Sequence, residues 1–364
     1  MYLQAKGKYS KQAHVSIPEG CYEEEFGRSG FFGPVSQMYH THPPTAWTRI
    51  EGPLRPRSFD CNQLAEKQSS SVVSDRVTML YNQDVSFAIE RPMAAIDWFF
   101  RNADGDEVFF IHRGAGLLQT DFGPMHFEPG DYIVIPRGTT YRFLPVGTDN
   151  FFLVFESKSA IRQPDRGMLG QHALYDQTVI ETPEPVPLLE EGNEWEIKIK
   201  RLDEITSVFY PYPPLDVAGW KGDLCVWKIN IRNIRPVMSH LAHLPPSVHT
   251  TMLGHNFVLC TFLPRPLETD PEAVRVPFFH RNIDYDEVLF YHDGEFFSRD
   301  GIKPGMITLH PQGIHHGPHP KAIESSKQKT GTNEMAVMLD TLNPLKTTSE
   351  ADVCEWTDYW RSWQ

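Results

Sequence analysis

The sequence predicts a mainly β protein: two barrels made from one repeated unit, with a short helix at the C-terminus. Three observations carry that expectation. Thirty prolines and 25 glycines punctuate the chain, and between them stand short aromatic or β-branched runs such as Val108-Phe109-Phe110-Ile111, Tyr132-Ile133-Val134-Ile135 and Phe257-Val258-Leu259-Cys260. Such runs suit a pleated, buried surface. A pattern near residue 100 returns near residue 280, and helical periodicity is confined to the C-terminal stretch.

The chain has 364 residues, 40% of them hydrophobic and 12% aromatic. It can bury a large core, divides at roughly 150 residues per domain into two units, and is too apolar for global disorder. Its formal charge is −13, and no Lys/Arg block breaks that balance. Nucleic acid and membrane are therefore not expected as partners, because neutralising phosphates takes clustered positive charge. No stretch approaches 18 apolar residues, and Met1–Lys11 lacks an apolar run followed by a small-residue cleavage site. A soluble cytoplasmic protein is expected. Cys21, Cys61, Cys225, Cys260 and Cys354 are odd in number and widely spaced, the pattern of reduced, buried thiols.

Taken in order, an N-terminal unit spans residues 1–180, and the Pro- and Glu-rich run ETPEPVPLLEEG opens a connecting segment at 181–200. The second unit occupies 201–364. Within it Val353, Trp356, Tyr359, Trp360 and Trp363 recur at spacings of three and four, which predicts a helix over Glu350–Trp363 packed on the body.

The internal repeat is the strongest signal. FFRNADGDEVFFIHRG begins at Phe99 and FFHRNIDYDEVLFYHDG at Phe278, so that Asp106-Glu107-Val108 matches Asp286-Glu287-Val288 and Arg101-Asn102 matches Arg281-Asn282. Downstream, Gly130 to Gly138 and Gly305 to Gly313 both read G-x5-P-x-G. Two copies of one β unit account for this.

That spacing resembles the two sequence motifs of the cupin superfamily, small β-barrels with a metal held inside. The resemblance puts the metal positions of the second copy at His280, Glu287 and His316, and those of the first at Phe100, Glu107 and Tyr141. One metal per chain is implied, with Glu107 left without partners. Strand alternation turns Leu289 and Tyr291 inward with Glu287. Two imidazoles and a carboxylate suit Fe(II) with open positions, although zinc uses similar ligands. His292 and His315 fit no required position and are read as structural or rim residues.

At these residues the resemblance narrows. His280-Arg281-Asn282 leading to Glu287, and Leu309-His310 leading to His316-Gly317-Pro318, are similar to homogentisate 1,2-dioxygenase. So are Tyr39-His40-Thr41-His42-Pro43-Pro44-Thr45, His249 after Pro245-Pro246, and Asn256 to Cys260. The resemblance implies iron ligation by His280, Glu287 and His316, acid/base work by His249, and a role for His310 in contacting substrate or orienting a ligand. It also implies a small aromatic acid and dioxygen as reactants, and a homo-oligomer. The chain departs from the family in being shorter, in one extra residue between His280 and Glu287, and in Phe278-Phe279 where tyrosines are frequent.

Two other readings stay open at this point. One is a dioxygenase of gentisate or another hydroquinone; the other is a metal-dependent bicupin without oxygen chemistry, such as a sugar-phosphate isomerase. Residues 278–320 offer that second reading only Arg281, Arg299 and Lys303 for phosphate.

Overall fold

The computed structural model describes residues 4–64, 76–275 and 278–364. The strand Asp106–Thr120 is the spine of the first barrel, pairing antiparallel with Thr140–Ser157, Met125–Phe127 and Asp131–Ile135. Its counterpart Asp286–Asp293 pairs with Met306–His310 and Met335–Thr341. The sheet continues from there through Phe257–Phe262 to Thr250–Gly254.

Alternation along these strands sorts side chains into separate cores. Phe109 and Ile111 fill the first barrel, together with Phe100, Phe143 and Phe152. Leu289 and Tyr291 line the second with Cys260, Phe262 and Met338. The intervening residues Val108, Phe110, Val288 and Phe290 form a third core shared between the barrels. There the repeat becomes a symmetry. His112 and His292, which are 180 residues apart, meet Nδ1 to Nδ1 at 2.8 Å. Phe110 packs edge-on to His292 at 4.9 Å, as Phe290 does to His112 at 5.1 Å. Equivalent residues in mutual contact define an approximate two-fold axis. The G-x5-P-x-G copies match as well: Gly138 and Gly313 turn at φ +85° and +86°, a region that favours glycine.

Strand pairing does not follow the linear division 1–180, 181–200 and 201–364. Trp195–Arg201 runs parallel to Phe99–Asn102, and Trp227–Asn230 pairs with Asp131–Ile135, so both extend the first barrel's sheet. Conversely, Arg57–Asp60 pairs with Met306–His310, and Tyr22–Gly27 runs parallel to Phe279–Asn282. Each barrel is edged by chain from the other half, which satisfies backbone groups left open at a sheet edge.

The helix expected over Glu350–Trp363 is interrupted. An α-helix covers Ser349–Val353, capped by Thr348, and a separate 3-10 turn covers Tyr359–Trp363. Between them the backbone pairs with the strand Arg57–Asp60, through Asp60 N–H to Cys354 O (2.9 Å) and Trp356 N–H to Ser58 O (2.8 Å). These bonds compete with helix propagation. Val353 consequently faces solvent, whereas Tyr359 and Trp363 are buried. All five cysteines are free; four are buried and Cys21 is half-buried. No helix among the described residues is long and apolar enough to cross a membrane.

Candidate metal centre

Inside the second barrel the structure brings His280, Glu287 and His316 together, each offering a ligand atom within 4.8 Å of the others. Backbone pairing sets this up. His280 and His316 form a reciprocal bridge, with N–H to O distances of 2.9 and 3.0 Å, which puts both side chains on one side with ring centroids 3.9 Å apart. Glu287 Oε2 lies 3.5 Å from His280 Nε2 and 3.8 Å from His316 Nε2.

Hydrogen bonding then decides which nitrogen is free. The His280 Nδ1–H donates to Phe278 O at 3.0 Å and the His316 Nδ1–H to Ile314 O at 3.3 Å. A carbonyl can only accept, so each Nδ1 carries the hydrogen and each Nε2 of a neutral ring presents a lone pair. Both Nε2 atoms are buried without a hydrogen-bond partner among the described residues. Burial, with His280 adding to it, pushes His316 down to about 3, so the ring is neutral near pH 7. Burial would raise the Glu287 carboxyl, but His280, His310 and His316 hold it well below the usual carboxylate range. Two lone pairs and an ionised carboxylate around one point fit a divalent cation.

His310 stands behind this group. It faces Glu287 across the strand pair and donates Nδ1–H to Glu287 Oε1 at 2.7 Å, while its Nε2 accepts from the Tyr359 hydroxyl at 3.1 Å. Both ring nitrogens are engaged by protein groups, and burial lowers the imidazole to about 4. Trp363 Nε1–H donates to Gly317 O at 3.1 Å, so the C-terminal turn braces the same wall. On the other side, the strand bearing His280 is flanked by Tyr22–Gly27, whose Glu24 takes His40 (2.6 Å), Arg281 (3.1 Å) and His315 (3.2 Å). His315 is thus a rim residue and His292 an inter-barrel one.

In the first barrel the equivalent positions close up. Phe100 and Tyr141 pair across strands, and Glu107 is not left without partners as the sequence suggested: it accepts from Tyr141 Oη–H (2.8 Å) and Arg76 Nη1–H (2.7 Å). Arg76 also reaches Glu90 at 3.3 Å and Glu156 at 3.8 Å. A guanidinium supplies the positive charge there, and aromatic rings fill the remaining space. Another acidic group, Asp104, Glu156 and Asp203, is already spanned by the Lys200 ammonium at 3.5, 2.7 and 3.1 Å. Metal analysis is accordingly expected to give one tightly held ion per chain, unchanged in Tyr141→Phe; two ions per chain would contradict the asymmetry.

His249 ends the 3-10 turn Pro246–His249, just before the strand Thr250–Gly254. It is buried, packs on Phe262 at 5.1 Å, and has no partner at Nδ1 among the described residues. It forms no hydrogen bond with His280, Glu287 or His316. Three residues around these sites escaped sequence reasoning. Tyr359 reads only as part of a helical stripe, Arg299 only as one of a few basic residues, and Arg76 precedes the repeat with no motif around it.

Models of the N-terminal and C-terminal regions of homogentisate 1,2-dioxygenase match residues 79–231 and 239–364. A Saccharolobus solfataricus protein, a dioxygenase by name without a stated substrate, is 32% identical over 100% of this chain and 99% of its own length. The homogentisate 1,2-dioxygenase of Bradyrhizobium diazoefficiens is 28% identical over 70% of this chain, and the match spans 60% of that relative's length. Among solved structures, a cupin 2 conserved barrel domain protein from Leptotrichia buccalis covers 79% of this chain and 96% of its own at 12% identity, with a TM-score of 0.35. With both family models matched in order across most of its length, the chain belongs to the homogentisate 1,2-dioxygenase family of ring-cleaving dioxygenases.

Proposed function

We propose that the protein is an Fe(II)-dependent dioxygenase that converts homogentisate (2,5-dihydroxyphenylacetate) to maleylacetoacetate, with His280, Glu287 and His316 as the iron ligands. The observation that carries this reading is the convergence of two free imidazole nitrogens and one carboxylate inside the second barrel of a chain of this family. Bound there, Fe(II) would supply Lewis acidity toward a phenol oxygen and reducing power toward dioxygen. Both oxygen atoms enter the product, and the ring bond between the hydroxyl-bearing carbon and the arm-bearing carbon breaks.

The protein's own groups orient the ring and move its protons. Phe31 and Phe278 each stand 5.2 Å from the His280 ring, forming aromatic walls beside the ligand. His310 keeps Glu287 ionised and fixed by donating to Oε1, leaving Oε2 for the metal. His249 takes the proton of the second hydroxyl. Burial, reinforced by Arg265 and His243, lowers its imidazole to about 3, so it is a free base at neutral pH. An anionic ring beside it raises that affinity toward the operating pH, where a general base works best. A cytoplasmic setting agrees with five free thiols. A homo-oligomer agrees with exposed Ile205 and Phe209 on the edge strand Glu204–Tyr210.

Oxygen uptake by Fe(II)-loaded protein with homogentisate, gentisate and unsubstituted hydroquinone tests the proposal. Homogentisate should be consumed with equimolar dioxygen, and zinc-loaded protein should be inert. Turnover of gentisate or hydroquinone alone would assign the site to another dihydroxyphenyl substrate. Full activity with zinc would overturn the oxygen chemistry. In His249→Ala, kcat should fall by roughly two to four orders of magnitude with iron content unchanged; near-normal kcat would remove His249 from proton transfer.

A further inference from the structure

A second buried charge stands beside the candidate metal group. Arg299 lies in the link between Asp286–Asp293 and Met306–His310, turned inward by its N–H to Phe296 O bond at 3.0 Å. The residue is only 9% exposed. Its Nη1 donates to Ser298 O (3.1 Å) and Gly317 O (3.3 Å), the second of these adjoining His316. Its Nη2 stands 3.9 Å from Glu287 Oε1, beyond hydrogen-bond reach, and its Nε has no partner among the described residues.

A permanently charged guanidinium is costly to bury unless an anion meets it. The acidic groups that face it most strongly are Glu287 and Tyr291 on one strand, Tyr359 on the C-terminal turn, and Glu334 before Met335–Thr341, while the imidazoles of His310 and His319 also lie within its influence and offer no negative charge. None is a full counterion. Glu287 Oε1 is already taken by His310 and its Oε2 faces the two free imidazole nitrogens. Burial keeps the Tyr291 and Tyr359 phenols neutral. Glu334 is raised by burial and lies within the influence of Arg265 as well as Arg299. With a divalent ion on the neutral imidazoles, one carboxylate and one guanidinium leave two positive charges uncompensated. A phenolate that also carries a carboxylate balances them.

We propose that Arg299 is the specificity-determining anchor for the carboxylate arm of an aryl-acid substrate, holding it through Nε–H and Nη2–H while the ring hydroxyl faces His280, Glu287 and His316. This rests on the dioxygenase reading above. It distinguishes substrates with an acidic arm beside the reacting hydroxyl from plain hydroquinones, because the planar fork matches a carboxylate and has nothing to hold in a neutral ring.

Calorimetric binding to Fe(II)-loaded, dioxygen-free protein tests it, using 2-hydroxyphenylacetate and the neutral 2-ethylphenol as probes. Wild type should bind the acid more tightly. Arg299→Gln should weaken the acid by roughly 10- to 100-fold, as expected for a charge-assisted hydrogen bond, leave 2-ethylphenol within about twofold, and retain its iron. Arg299→Lys, which keeps the charge but not the fork, should recover part of the loss. Equal weakening of both probes, or loss of iron, would make Arg299 a positioning residue for Glu287 and overturn the proposal. So would a wild type with no preference for the acid. If Arg299 behaves as expected but no dihydroxyphenyl compound drives oxygen uptake, the anion site stands and the dioxygenase reading fails.

Discussion

Glu287→Gln is expected to empty the second barrel of metal while leaving the fold intact. The substitution keeps the shape and an oxygen that can accept from His310 Nδ1, which lies 2.7 Å from Glu287 Oε1. It removes the anionic donor from a group whose other members, His280 and His316, are imidazoles that bring no negative charge. Loss of an outer hydrogen-bonding partner typically costs about 10- to 100-fold in metal affinity, and loss of the charged ligand should exceed that. His316→Ala should behave alike. Metal analysis after dialysis reads the first effect, and near-ultraviolet circular dichroism checks the fold. A Glu287→Gln protein that keeps a full complement of metal would place the ion elsewhere.

The largest expected effect on stability lies in the other barrel. Arg76 stands within ion-pair distance of Glu107, Glu90 and Glu156, at a site only 11% exposed at its side chain. Breaking a buried ion group by removing one partner strands the remaining charge, which costs roughly 3–5 kcal/mol. Arg76→Leu should therefore lower the unfolding free energy by about that amount in denaturant titrations, and a second change, Glu107→Gln, should restore part of it. A loss below about 1 kcal/mol would show that Arg76 is a surface-like pair. Metal content should stay at the wild-type level, since His280, Glu287 and His316 lie in the second barrel.

This network also sets a pH dependence. Burial alone would raise the Glu156 carboxyl, but Lys200 and then Arg76 outweigh it and hold the group at about 2 instead of 4.5. A carboxyl depressed in the folded state contributes stability above its unfolded value and loses it as pH falls through the folded one. Stability should thus decline between pH 4.5 and pH 2, and decline less steeply in Arg76→Leu. A wild type equally stable at both ends would contradict the assignment.

The two halves of the chain show how far local pattern reaches. Glu107 and Glu287, the glycine turns at Gly138 and Gly313, and the alternation around Phe109 and Leu289 are written into neighbouring residues. A strand has a period of two and a tight turn needs particular backbone angles, so these features depend on little beyond the residues themselves. The contrast between Phe100 and Tyr141 on one side and His280 and His316 on the other was legible in the same way, because residue type alone decides whether a lone pair is available. The C-terminal stripe misled because its spacing reports an apolar face. It cannot report that Asp60 and Ser58 claim the backbone at Cys354 and Trp356.

Everything that depends on distant partners had to wait for the fold. Arg76 reaches Glu107 inside the first barrel, Tyr359 completes the chain of contacts through His310 to Glu287, and Arg299 comes to rest beside Glu287 Oε1. The exchange of edge strands between the barrels belongs to the same class. Periodicity is a property of adjacent residues. The counterion of a buried charge is chosen by whichever side chain the topology carries within a few ångströms, and that choice leaves no trace in spacing.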